Sequence, residues 1–124
     1  MAKKRILIID DEVDFTKFIK LNLEQTGGYE VRTENRGESA VTAAKEFKPN
    51  LIFLDVMMPG IDGGEVCYQL ENDEDTKYIP VVFLTAAIKK EETNGYARNM
   101  RSNSFIAKPV DIKQLIYFIE KNVH

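Results

Sequence analysis

Leu51-Ile52-Phe53-Leu54-Asp55-Val56-Met57-Met58-Pro59-Gly60 is the stretch that decides the fold. Its leading residues are apolar without alternation, which fits a strand covered on both faces, as in parallel α/β sheets. Asp55 puts a carboxylate at the C-terminal end of that strand. Pro59-Gly60 and Asp62-Gly63 then turn the chain. The pattern recurs: Ile6-Leu7-Ile8-Ile9 runs into Asp10-Asp11, Val81-Val82-Phe83-Leu84 into Thr85, and Phe105-Ile106-Ala107 into Lys108-Pro109. In an open parallel sheet the strand C-termini share one edge, and ligands bind there. Asp10, Asp11, Asp55, Thr85 and Lys108 are therefore expected to converge. Carboxylates, a hydroxyl and an ammonium in one place suit a divalent cation and a phosphoryl group.

Working outward, the spacing predicts strands near Arg5–Ile9, Tyr29–Thr33, Leu51–Leu54, Val81–Leu84 and Phe105–Ala107. Helices are expected near Asp14–Thr26, Gly37–Phe47, Gly63–Asn72, Lys90–Arg98 and Ile112–Asn122. Each intervening segment is long enough for a helical crossover, and right-handed crossovers lay helices on both faces. The second strand alternates, Tyr29-Glu30-Val31-Arg32-Thr33-Glu34, and is placed at a sheet edge. Gly27-Gly28 stops the first helix, Lys48-Pro49 the second, and Asp111 caps the last. Pro80 opens the fourth strand, where a missing N–H is tolerated.

Composition narrows the function classes. A chain of 124 residues, 44% of them hydrophobic, suits one domain with one core. A formal net charge of -3 carries no electrostatic footprint for nucleic acid or an anionic membrane. Cys67 is the only cysteine, so no internal disulfide and no oxidising compartment is implied. It reads as a small apolar helix residue. The basic start Met1-Ala2-Lys3-Lys4-Arg5 precedes an apolar run too short for a signal peptide or a membrane span. A cytoplasmic protein is expected.

Each site residue has a local alternative. Alone, Asp11 reads as the cap of the first helix, Asp10 as a polar strand end, Thr85 as a helix cap and Lys108 as a solvated charge. Together they read differently. Two unit charges about 4 Å apart repel by roughly 4 kcal/mol at an effective dielectric near 20. Clustered carboxylates therefore call for a cation. A bound metal would neutralise them and hold Asp55 ready as a nucleophile.

At these residues the chain resembles the receiver domain of two-component response regulators. The matching pieces are Ile8-Ile9-Asp10-Asp11-Glu12, Leu54-Asp55 through Asp62-Gly63, Leu84-Thr85-Ala86 and Phe105-Ile106-Ala107-Lys108-Pro109, in that order, over Lys4 to Asn122. The resemblance implies a flavodoxin-like (βα)5 three-layer sandwich, with a five-stranded parallel sheet in the order 2-1-3-4-5, as one receiver domain over residues 1–124. It implies that Asp55 accepts a phosphoryl group from a sensor histidine kinase or histidine phosphotransfer protein. Asp10 and Asp11 would hold Mg2+, one directly and the other through water, with Mn2+ able to substitute. Asp55 and the Met57 backbone carbonyl would complete the protein ligands. Lys108 would pair with the acyl phosphate, Thr85 would move toward it, and the Phe105 ring would turn inward. The face made by the fourth helix, fifth strand and fifth helix would change in response. The partner downstream would be a protein target or an output domain, and the domain would be a monomer or a phosphorylation-dependent dimer. This is a phosphorylation switch, not a turnover enzyme.

The chain departs from the family pattern at Met100-Arg101-Ser102-Asn103-Ser104, where a Gly-Ala-like turn is usual, and at Thr93-Asn94-Gly95-Tyr96 in the fourth helix. Phe105 lacks the hydroxyl of the commoner Tyr, so ring packing must serve the switch. Met57 and Ala87, beside the site, carry no group to orient a water, so self-dephosphorylation is expected to be slow. An aspartate-nucleophile phosphatase would want a second Asp where Met57 stands. A flavodoxin-like cofactor binder would want a Gly/Ser/Thr-rich loop where Asp10-Asp11-Glu12-Val13-Asp14 stands. An interaction domain that works without phosphorylation would not need the acidic site. No output domain follows before His124, so a stand-alone receiver or a piece of a longer regulator is expected.

Overall fold

The structure is a computed structural model that describes residues 2–86 and 104–123. Five strands form one sheet: β1 Lys4–Ile9, β2 Tyr29–Glu34, β3 Leu51–Asp55, β4 Val81–Thr85 and β5 Ser104–Ala107. All neighbours run parallel, in the order β2-β1-β3-β4-β5. The helices described are α1 Val13–Gln25, α2 Ala40–Phe47, α3 Gly63–Glu71 and a C-terminal helix Ile112–Asn122. The helix expected at Lys90–Arg98 lies outside the described residues.

The continuous apolar runs are explained by two core layers, one on each face of the sheet. Successive strand residues point to opposite faces. Leu7, Ile9, Ile52 and Leu54 pack with Ala40, Ala43, Ala44, Val66 and Leu70 of α2 and α3. Ile6, Ile8, Leu51 and Phe53 pack on the other side with Ile19 and Leu23 of α1 and Leu115 and Ile119 of the C-terminal helix. Each fully buried Ile, Leu or Phe contributes roughly 1.5–3 kcal/mol. β2 is the edge strand its alternation predicted: Tyr29 and Val31 are buried and Glu30 is exposed.

One expected boundary moves, and one local alternative is set aside. Glu12 is the N-cap of α1, without a side-chain cap hydrogen bond, so the alternative of Asp11 as that cap does not hold. Asp11 is thus left to the loop above the sheet. The second helix is also broken: Gly37–Ser39 form a 3-10 turn and α2 begins at Ala40. A Cβ on Gly37 would collide with Ile61, so the turn is closely packed at that residue. The stop signals hold. Gly27 takes a φ of 87°, Lys48 ends α2 in the left-handed region at φ 52°, and Asp111 accepts a hydrogen bond from the Lys113 amide.

The segment after Asp55 is held tightly. The Val56 amide donates to Leu84 O at 2.9 Å, and the Gly63 amide donates to Val56 O at 2.7 Å. Asp62 caps α3 by accepting from the Glu65 amide at 2.8 Å. Gly63 therefore sits against the strand end, where an added Cβ would run into the Asp55 carbonyl oxygen and Val56 Cα. Backbone cannot give way as a side chain can. Gly63→Ala is expected to cost about 1–3 kcal/mol by overpacking. Urea unfolding of the two proteins measures it, and an unchanged midpoint would contradict this packing.

Candidate functional site

Strand register brings the site together. Ile9 pairs with Leu54, so Asp10 follows β1 beside Asp55 at the end of β3. Asp55 pairs with Leu84, and Thr85 pairs with Ala107. Lys108 follows directly, its amide donating to Thr85 O at 2.8 Å. The peptide between Lys108 and Pro109 is cis. Each residue expected to hold the cation or meet the phosphoryl group is thus at a strand's C-terminal end or one or two residues beyond it, while Phe105 lies within β5.

Asp10, Asp11 and Asp55 each offer a carboxylate oxygen, and these oxygens lie within 4.8 Å of one another. Asp10 is 0% exposed and Asp55 4%, while Asp11 faces solvent. Asp10 is fixed from several sides. Its amide donates to Glu34 O at 3.0 Å, and its Oδ1 accepts from the Glu12 amide at 2.9 Å. Its carbonyl accepts from Asn35 Nδ2 at 2.8 Å. Asp55 Oδ1 accepts a longer bond, 3.3 Å, from the Met57 amide.

Among the described residues, Lys108 is the cation that faces this cluster. Its Nζ lies 2.7 Å from Asp10 Oδ2, 2.9 Å from Glu12 Oε1 and 3.8 Å from Asp55 Oδ2. It also sits 4.7 Å from the centroid of the Phe15 ring, within cation–π range. The ammonium leans toward Asp10 and Glu12, not toward Asp55. The approach to Asp10 Oδ2 is close but poorly aligned. That buried oxygen has no hydrogen-bond partner of good geometry among the described residues.

The proton affinities follow from this layout. Burial pushes the Asp10 carboxyl up, against the pull of Lys108 and the Glu12 amide. Burial and then the neighbouring Asp10 charge push Asp55 up to about 7, with Lys108 only partly opposing them. Burial would lower Lys108, but its bonds to Asp10 and Glu12 together outweigh that and raise it. Lys108 therefore stays charged at neutral pH, while one proton or one cation is needed to relieve the carboxylates.

Thr85 is buried beside this group, and the half-buried Phe105 stacks on Phe83 with ring centroids 5.3 Å apart and planes 26° apart. Met57 is 74% exposed, and Ala87 lies outside the described residues. Sequence reasoning gave no role to Asn35 or Phe15, and quoted Glu12 only as part of a motif. Asn35 directly follows β2, on the same sheet edge as the other site residues, and that placement was the available signal.

A family model described as the response regulator receiver domain matches residues 6–120. The chain belongs to this family. RpaA of Synechocystis, a DNA-binding dual master transcriptional regulator, is 35% identical over 113 residues, covering 90% of this chain and 46% of that protein. Protein PilH of Pseudomonas aeruginosa is 35% identical over 115 residues, covering 90% of this chain and 91% of that one. The structure of chemotaxis protein CheY4 of Vibrio cholerae superposes with a TM-score of 0.88 at 24% identity, over 98% of this chain and 100% of that one. That likeness establishes the flavodoxin-like fold. This receiver domain spans about half the length of RpaA and of several other curated relatives. Receiver domains are the phosphorylation switches of two-component systems and bind Mg2+ at an acidic pocket.

The raised Asp55 value has a consequence for stability. The folded state holds this proton more tightly than the unfolded chain, whose carboxyl titrates near 3.8. The metal-free receiver is therefore stabilised by this group below pH 4 and loses that contribution as pH rises toward 7. Asp55→Asn removes the buried charge and is expected to be more stable than the parent at pH 7.5 in EDTA, by roughly 1–3 kcal/mol. The gap should close toward pH 4. Urea unfolding at both pH values checks the sign, and a variant less stable at pH 7.5 would refute it.

Proposed function

We propose that Asp55 of this receiver accepts a phosphoryl group from a phosphohistidine on a sensor histidine kinase or a histidine phosphotransfer protein. The observation that carries the reading is the pair of buried carboxylates, Asp10 and Asp55, faced by one misaligned ammonium. An Asp55 oxygen would form the new O–P bond while the P–N bond breaks, its electron pair staying on the donor imidazole. Lys108 would swing from Asp10 and Glu12 onto a phosphoryl oxygen, a shift that the 3.8 Å gap to Asp55 leaves room for. Thr85 would hydrogen-bond the same group, and the Phe105 ring would follow it inward, altering the surface beside β5.

The donor set fits a hard divalent cation. It is all oxygen, it carries an excess of negative charge, and Asp10 Oδ2 is buried without a well-aligned donor. Asp10, Asp11, Asp55 and the Met57 carbonyl would hold Mg2+, or Mn2+ in its place. When bound, the ion supplies charge neutralisation for the carboxylates and for the transferred group.

An apolar groove of about 450 Å3 adjoins Lys108, lined by Phe15, Phe18, Ala86, Pro109 and Val110. Phe18 is 53% exposed there, which suits the docking of a phosphodonor helix. The downstream partner is read as a protein target or output domain, and the setting as cytoplasmic. Among the described residues no helix is long and apolar enough to cross a membrane.

Incubation with acetyl phosphate, followed by intact mass, tests the reading. The expected result is one phosphoryl adduct that requires Mg2+ and is absent in Asp55→Asn. An adduct that survives Asp55→Asn would place the acceptor elsewhere. With the Met57 side chain offering neither charge nor amide to a water, the adduct should last many minutes or longer. Loss within seconds would refute that part.

A further inference from the structure

Asn35 is the residue of this site edge that the proposed reaction does not use. It stands directly after β2, where the pairing of β1 with β2 ends at Ile9 and Glu34. Its Nδ2 donates to Asp10 O at 2.8 Å and to Thr16 Oγ1 at 3.0 Å. Thr16 Oγ1 in turn donates to Val13 O at 3.0 Å, which leaves that oxygen to act as acceptor toward Asn35. Two acceptors therefore fix which end of the amide is nitrogen. One side chain thus ties together the end of β2, the acidic turn after β1 and the first turn of α1.

Other contacts hold the acidic turn through the Asp10 amide and through Lys108 on the Asp10 and Glu12 carboxylates, and among the described residues Asn35 is the side chain bonded to the Asp10 carbonyl. α1 starts at Glu12 without a side-chain cap, and Asp11 is exposed. Asp10 has its amide on Glu34 and its Oδ1 on Glu12, but its carbonyl is oriented by Asn35. Rotation of the peptide between Asp10 and Asp11 would move both carboxylates relative to Asp55. Metal affinity depends on such outer contacts because they decide how much ordering remains to be done when the ion arrives.

We propose that Asn35 is a positioning residue for divalent-cation binding, locking the Asp10-Asp11 turn in the geometry that presents both carboxylates toward Asp55. This rests on the metal site in the proposed function and adds a residue to it.

The test is Mn2+ titration of the whole chain without phosphodonor, followed by the electron paramagnetic resonance signal of free Mn2+. Asn35→Ala is compared with the parent where both are folded by circular dichroism. The expected result is a dissociation constant about tenfold higher in Asn35→Ala. The rise in melting temperature produced by Mg2+ should shrink, and saturating Mg2+ should restore most of the acetyl phosphate rate. A purely structural role would lower the melting temperature equally with and without Mg2+ and leave the Mn2+ affinity unchanged; that result overturns the proposal. If Asn35→Ala does not fold, Asn35→Ser carries the same test, since its hydroxyl is too short to reach the Asp10 carbonyl. Failure of the parent itself to bind Mn2+ would sink the metal site and this proposal together. Parental binding with an unaffected variant sinks only this one.

Discussion

Two carboxylates buried side by side, with one ammonium between them, are the constraint on which the molecule's upper edge depends. Asp10 and Asp55 end neighbouring parallel strands, and neighbouring strands lie about 4.7–4.9 Å apart. The sheet therefore forces the charges together, and burial removes the water that would screen them. Lys108 offsets part of the repulsion but makes its closest contacts with Asp10 and Glu12. Asp55 is left as the carboxylate with the least support, which is why its proton affinity climbs furthest. A group held in that condition responds strongly to a proton, a cation or a covalent charge.

Such an arrangement lasts only on a base that does not yield. The two core layers supply it. Residues from Ile6 to Ile9 and from Leu51 to Leu54 are fully buried, alternating between the α2–α3 side and the α1–C-terminal helix side. A register slip of one residue would exchange the two faces of a strand and misplace its terminal carboxylate at once. Precision at the site is thus inherited from the core, because each critical residue is at most two positions from a strand end. The close seat of Gly63 on the Asp55 backbone extends the same rigidity to the loop that follows.

How far the sequence reveals this depends on the range of the interaction concerned. The strands were legible because unbroken apolar runs have few other uses in a chain of this size. The convergence of Asp10, Asp55, Thr85 and Lys108 followed from one geometric rule about strand ends. The edge position of β2 was legible in its alternation, whereas the full strand order came only with the family resemblance. What escaped was partner choice over distance. Nothing in Glu12 or Phe15 announces that Lys108, from a strand far along the chain, will settle on them. The close packing at Gly37 was hidden for the same reason, since the side chain that crowds it is Ile61. Asp11 taken alone reads as a helix cap, and only the residues at the other strand ends point it to the cluster, where it lies.

Within the described residues, Asp55 and Phe105 are joined by a narrow piece of structure. Asp55 pairs with Leu84, the Lys108 amide is bonded to Thr85 O, and Phe83 and Phe105 are stacked partners two residues earlier on β4 and β5. Under the proposed function, a charge added at Asp55 would act first on Thr85, which ends β4, and on Lys108, which follows β5. Under the proposed function, drawing Lys108 away from Glu12 and Phe15 would trade an exposed ion pair and a cation–π contact for a stronger pairing with a phosphoryl group. The contact with exposed Glu12 is a weak restraint, and the 2.7 Å approach to buried Asp10 is the one the phosphoryl group would have to replace. Phe105 has no hydroxyl to tether it, and its ring is held by stacking on Phe83 and by packing against the core layer on the α2–α3 side. Under the proposed function, a switch built this way would turn on packing of the ring, with contacts along β4 and β5 weighing more than any single hydrogen bond.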